Sequence, residues 1–111
     1  MGGGNVIEIT SAAEWQEKIE NSKDLILVDF FADWCGPCKA IAPVIEKLSL
    51  QHENIKFYQV DVDKLNDVAA DNGISAMPTF LFFKDGKKLE DKSVRGANGA
   101  AIMTGVQALL E

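Results

Sequence analysis

The chain has 111 residues, 47% hydrophobic and 25% charged, which suits one globular domain able to bury a core without metal or several disulfide staples. Its formal net charge of −6 argues against a nucleic-acid partner, because phosphate backbones demand a clustered basic surface that these scattered lysines do not provide. The longest apolar stretch, Leu25 to Val28, is cut by Asp29 and is far too short for a membrane span, so no membrane association is expected.

Met1-Gly2-Gly3-Gly4-Asn5 reads as a flexible lead over residues 1–5, ahead of one domain over 6–111. The lead lacks the basic start and apolar centre of a secretory signal, and Val6 stands where a myristoylation motif wants Ser or Thr. Val6 to Ile9 predicts a short first strand. Ser11 with Glu14 forms a capping box before Trp15 and Ile19 at helical spacing, for a helix ending near Asn21-Ser22 with Trp15 in the core. Asp24 to Phe31 is a β-branched and aromatic run without clean alternation, the pattern of a central strand covered on both faces, and it leads into Cys35. Ile41, Val44, Ile45 and Leu48 then form one apolar stripe on a helix reaching roughly Leu50, which Pro43 should kink.

Ile55 to Val62 predicts another buried strand, and Leu65, Val68 and Ala69 a shorter helix that Asn72-Gly73 can terminate. Thr79 to Phe83 and roughly Lys88 to Val94 flank Asp85-Gly86, a dipeptide suited to a tight antiparallel hairpin. A last helix follows Asn98 with the stripe Ile102, Val106, Leu109 and Leu110. Gly105 inside it costs about 1 kcal/mol relative to alanine, which packing must offset. This order implies an α/β fold: a mixed sheet of about five strands with helices on both faces, since parallel strands need crossover helices.

Cys35 and Cys38 are the only cysteines. Zinc would want four Cys or His ligands, and the chain offers these two and a distant His52, itself in a polar segment that suggests a solvated surface residue. A structural staple over so short a loop constrains the unfolded chain little. A redox pair fits better. Gly36-Pro37 keeps the spacer compact, and the pair straddles the start of an amphipathic helix, where free amides and the dipole stabilise a thiolate. Cys35, at the outer end and exposed to partners, is then the attacking thiolate. Cys38, one turn deeper and protonated at rest, is the resolving thiol. Trp34, a bulky ring before Cys35 at a strand end, is a candidate contact platform. Asp29 is an acid inside an apolar strand, so burial should raise its pKa.

Trp34-Cys35-Gly36-Pro37-Cys38-Lys39, following Val28-Asp29-Phe30-Phe31-Ala32-Asp33, resembles the active-site segment of the thioredoxin family. Pro43, Ala76-Met77-Pro78-Thr79, Lys84-Asp85-Gly86 and Arg95-Gly96-Ala97 match later family segments in order and spacing. The resemblance implies the thioredoxin fold and a protein-disulfide reductase cycling Cys35 and Cys38 between dithiol and disulfide. It implies that Asp29 takes a proton from Cys38, directly or through water. It also implies that Pro78 is cis in a loop facing the cysteines, and that Met77, Pro78, Gly96 and Ala97 line a groove for extended clients. Many bacterial relatives place a lysine beside the acid, where this chain has Gln59; Phe31 and Asp33 also depart from the bacterial pattern and, with Val60-Asp61-Val62-Asp63, resemble eukaryotic cytosolic members.

Pro37 stands where disulfide isomerases and strong oxidases usually carry histidine, so the resemblance implies a low-potential reductant. It further implies no bound cofactor, reduction by a thioredoxin reductase, and clients such as peroxiredoxins, methionine sulfoxide reductases and ribonucleotide reductase. A monomer in a reducing compartment, most simply the cytosol, is expected. The rival reading is a noncatalytic interaction module or subunit built on the same fold.

Overall fold

The computed structural model describes residues 3–111. Among these, ten strands and α-helices follow the expected alternation through α3 and β4. They begin with β1 (Val6–Glu8), α1 (Ala12–Trp15), β2 (Leu25–Phe31), α2 (Gly36–Gln51), β3 (Ile55–Asp61), α3 (Asn66–Asp71) and β4 (Thr79–Lys84). After β4 come β5 (Lys87–Lys88), β6 (Val94–Arg95) and α4 (Gly99–Leu110). The expected lead falls in part on Met1 and Gly2, which lie outside the described residues. Beyond them, Asn5 N–H donates to Ser49 Oγ at 2.9 Å. Gly4, at φ +64°, approaches α2 so closely that an added Cβ would lie 2.6 Å from the Glu46 carbonyl oxygen.

The serine half of the expected capping box forms, and Glu14 caps one residue further back. Ser11 Oγ accepts the Glu14 N–H at 3.0 Å, and Glu14 reaches back to accept the Thr10 N–H at 2.7 Å. α1 then widens into a π-helical turn over Gln16–Glu20 and ends at Asn21. Burial of Trp15 and Ile19 against Phe30 and Phe83 holds this widened segment to the sheet.

The sheet runs β1-β3-β2-β4-β5, with β6 also paired to β4. β1, β3 and β2 are parallel, while β4 is antiparallel to β2 and to both short strands. The fifth strand expected over Lys88 to Val94 is therefore split. Leu89 N–H donates to the Phe82 carbonyl at 2.8 Å, and the chain then leaves the edge in a 3-10 turn over Glu90–Lys92 before rejoining at Val94. Five strand positions hold six strands. The hairpin between β4 and β5 turns on Asp85 and Gly86, both at positive φ, as a tight antiparallel turn requires.

Side chains alternate across the sheet, so β2 feeds two cores. Leu27 joins Ile41, Ile45, Leu48, Phe82, Ile102 and Val106 under α2 and α4. Ile26, Val28 and Phe30 join Trp15, Ile19 and Val68 under α1 and α3. Gly105 is where α4 meets β4: a Cβ there would run into the Phe82 ring. No helix among the described residues is long and apolar enough to cross a membrane.

Candidate active site

β2 ends at Phe31, and the chain turns at once, with Cys35 N–H donating to the Ala32 carbonyl at 3.1 Å. Cys35 is the N-cap of α2, and its Sγ accepts the Cys38 N–H at 3.2 Å. The spacer decides this geometry. Gly36 and Pro37 are the first two helical residues, and Pro37 has no N–H to offer, so the first amide turned toward the cap sulfur is that of Cys38. Four consecutive residues, Cys35 to Cys38, carry the cap, the spacing and the donor.

Cys35 and Cys38 are joined as a disulfide, with Cα atoms 5.3 Å apart. Cys38 is fully buried at 0% exposure and Cys35 shows 5%. The expected order of depth is present, but Cys35 is not the openly exposed residue that its place at the outer end suggested. The reason is the neighbouring loop. Phe31, Ala32, Cys35 and Cys38 form one apolar cluster on which Met77 packs, and the Met77 carbonyl oxygen lies 3.6 Å from Cys35 Sγ.

The Met77–Pro78 peptide is cis. The Pro78 carbonyl accepts the Gly96 N–H at 2.7 Å, which ties two loops distant in sequence side by side, and within the first loop Thr79 Oγ1 donates to the Ala76 carbonyl at 2.6 Å. Gly96, at φ +94°, takes a backbone conformation that a side chain would strain. Ala97 follows it as an exposed residue, and Asn98 then caps α4 by accepting the Ala101 N–H at 3.0 Å. Sequence-distant Met77, Pro78 and Gly96 thus converge beside the cysteine pair.

Trp34 stands at 68% exposure on the other flank. Its indole N–H donates to Asp63 Oδ2 at 2.9 Å, which fixes a ring that would otherwise swing in solvent. Asp63 is itself placed by the turn after β3, where buried Asp61 Oδ1 accepts the Asp63 and Lys64 amides at 2.9 and 3.3 Å. Sequence reading passed over Asp63 as a positioning residue. No local spacing signals a partner 29 residues away; only the parallel pairing of β2 with β3 brings their ends together.

Asp29 lies on the α2 face of β2, with 3% exposure, and its Oδ1 has no hydrogen-bond partner among the described residues. Burial pushes its carboxyl up from 3.8 to about 7. Its neighbour across the β2–β3 ladder is Gln59, also buried, so no cation stands at that position to pull the value down. Asp29, Gln59, Glu46, Ala42, Ile45 and Val6 line a cavity of about 10 Å³, the space of about one water. A buried acid poised near neutrality on the strand that delivers the cysteines is suited to move a proton there. His52, expected in solvent, is half-buried at the end of α2, where its carbonyl accepts the Ile55 N–H.

Comparison with known proteins gives a consistent result. A family model described as Thioredoxin matches residues 6–108. The chain is 50% identical over 103 residues to Thioredoxin-1 of Saccharomyces cerevisiae, covering 93% of this chain and 97% of that one. It is 49% identical over 106 residues to Thioredoxin Asp f 29 of Aspergillus fumigatus, covering 94% of each. Among solved structures, a wild-type poplar thioredoxin h superposes with a TM-score of 0.87 at 37% identity, over 97% of this chain and 98% of that one.

Proposed function

The chain belongs to the thioredoxin family, and from that premise we propose how its residues divide the reduction of a client disulfide. The activity itself, thiol–disulfide exchange by a Cys-Gly-Pro-Cys pair, follows from the family. The division of labour rests on one observation: Cys35 Sγ caps α2 and accepts the Cys38 amide, while Cys38 lies fully buried behind it.

In the dithiol form, the Cys35 thiolate is held by that amide and by the positive end of the α2 dipole. It attacks one sulfur of the client disulfide, and the client's other sulfur leaves as a thiolate. A mixed disulfide now joins Cys35 to the client. Cys38 then loses its proton to Asp29, directly or through one water, and attacks Cys35 Sγ. The client departs as a dithiol and the chain is left with the Cys35–Cys38 disulfide seen in the structure. Gly36 and Pro37 set the spacing and the donor. Trp34, Met77, Pro78, Gly96 and Ala97 form the client-docking surface, with the loop backbone pairing to an extended segment.

The disulfide must be re-reduced, and a thioredoxin reductase is the partner the family supplies. Disulfide-bearing proteins are the clients, among which peroxiredoxins, methionine sulfoxide reductases and ribonucleotide reductase are the specific candidates. The chain works as a monomer in a reducing compartment, the cytosol. Insulin reduction with dithiothreitol tests the reading: the protein should accelerate turbidity, Cys35→Ser should abolish the acceleration, and Cys38→Ser should hold clients as mixed disulfides. Equal rates with and without Cys35 would instead assign the fold to scaffolding.

A further inference from the structure

The sulfur of Met77 is the one thioether at the site among the described residues, and the exchange reaction does not use it. Met77 is half-buried, packs on the Phe31, Ala32, Cys35 and Cys38 cluster, and carries a carbonyl oxygen 3.6 Å from Cys35 Sγ. Its thioether is therefore an apolar part of the cover over the reacting sulfurs. The other described methionine, Met103, is 37% exposed on α4 and belongs to no cluster around the cysteines.

We propose that Met77 is a modification site: hydroperoxides oxidise its thioether to the sulfoxide, and that oxidation slows disulfide exchange at Cys35. The proposal rests on the reading of Met77 as part of the docking surface. In the step, the thioether sulfur gives two electrons to the peroxide, the O–O bond breaks, one oxygen becomes the sulfoxide oxygen and the other leaves as water or alcohol. The product side chain is polar and must keep its oxygen hydrated. Met77 cannot do that and also pack on the cysteine cluster or on an apolar client segment. The site already turns over sulfur electrons, so a peroxide-responsive brake beside it would couple client reduction to oxidant load. A sulfoxide reductase would release the brake.

The test begins with the disulfide form, in which both cysteines are protected from peroxide. The protein is treated with hydrogen peroxide, freed of it, mapped by mass spectrometry and assayed by insulin reduction, each variant against its own untreated rate. Full sulfoxide at Met77 should slow the wild-type chain at least about fivefold, the equivalent of about 1 kcal/mol in the barrier. Treated Met77→Leu should keep its own untreated rate, whereas treated Met103→Leu should slow like the wild type. Incubation with methionine sulfoxide reductases and dithiothreitol as the electron donor should restore the treated wild-type rate, a readout that does not depend on whether the Met77 variant folds. An unchanged rate with Met77 fully oxidised, an equal loss in Met77→Leu, or a Met77 untouched while Met103 is fully converted would each overturn the proposal. The untreated rates separately test whether the chain reduces disulfides at all.

Discussion

Asp29 carries a proton that the unfolded chain would release near 3.8, because burial in the folded protein pushes its carboxyl up to about 7. The folded state binds more protons across that interval, so the stability it contributes falls as pH rises from about 4 to about 7 and then levels off. The full penalty is roughly 4 kcal/mol for a shift of this size. Asp29→Asn should match the wild type in urea melts at about pH 4 and exceed it by a few kcal/mol at about pH 8; the same difference at both would show a solvated carboxyl. The same substitution should slow release of the mixed disulfide roughly 100- to 1,000-fold, the lower part of the range for a positioned base. An acid inside an apolar strand was legible in the sequence as a perturbed group. The Trp34–Asp63 bond was not, since it depends on which strand ends become neighbours. Nor was the covering of Cys35, which comes from a loop more than 40 residues away.

Two elements show how local rules and packing divide the outcome. At the start of α2, cap, spacer and dipole act together, and their arrangement was readable from Cys35 to Cys38 because helix-terminus chemistry is local. Pro37→His would place a cationic donor beside the Cys35 thiolate and stabilise the reduced form. Glutathione redox titration should then find the potential more oxidising by on the order of 30 mV; an unchanged potential would remove the spacer from the account of reducing power. In α4 the local rule alone misleads. Helix propensity favours alanine over glycine at 105 by about 1 kcal/mol, yet a methyl there meets the Phe82 ring. Gly105→Ala should therefore destabilise the protein by about 1–3 kcal/mol in thermal or urea melts, whereas stabilisation would mean that α4 can shift away from β4. The split between β5 and β6 was equally hidden, because the sequence marks strand-forming residues but not where an edge strand leaves its partner.

At the scale of the molecule, the strand and helix order allowed few topologies. Crossover connections make β1, β3 and β2 parallel, the Asp85-Gly86 turn makes β4 and β5 antiparallel, and the helices must then cover both faces. That much was legible. The consequence for function is that the C-terminal ends of β2 and β3, the cis-proline loop and the Gly96 turn meet at one end of the sheet. The parts of the site are supplied by four segments, each fixed by the fold. The central claim is that this assembly makes the two sulfurs unequal. Thiolate absorbance of the reduced protein followed against pH, with Cys38→Ser isolating Cys35, measures it most directly. Cys35 should ionise well below a free cysteine and Cys38 above it; two thiols that both ionise like free cysteine would contradict the account.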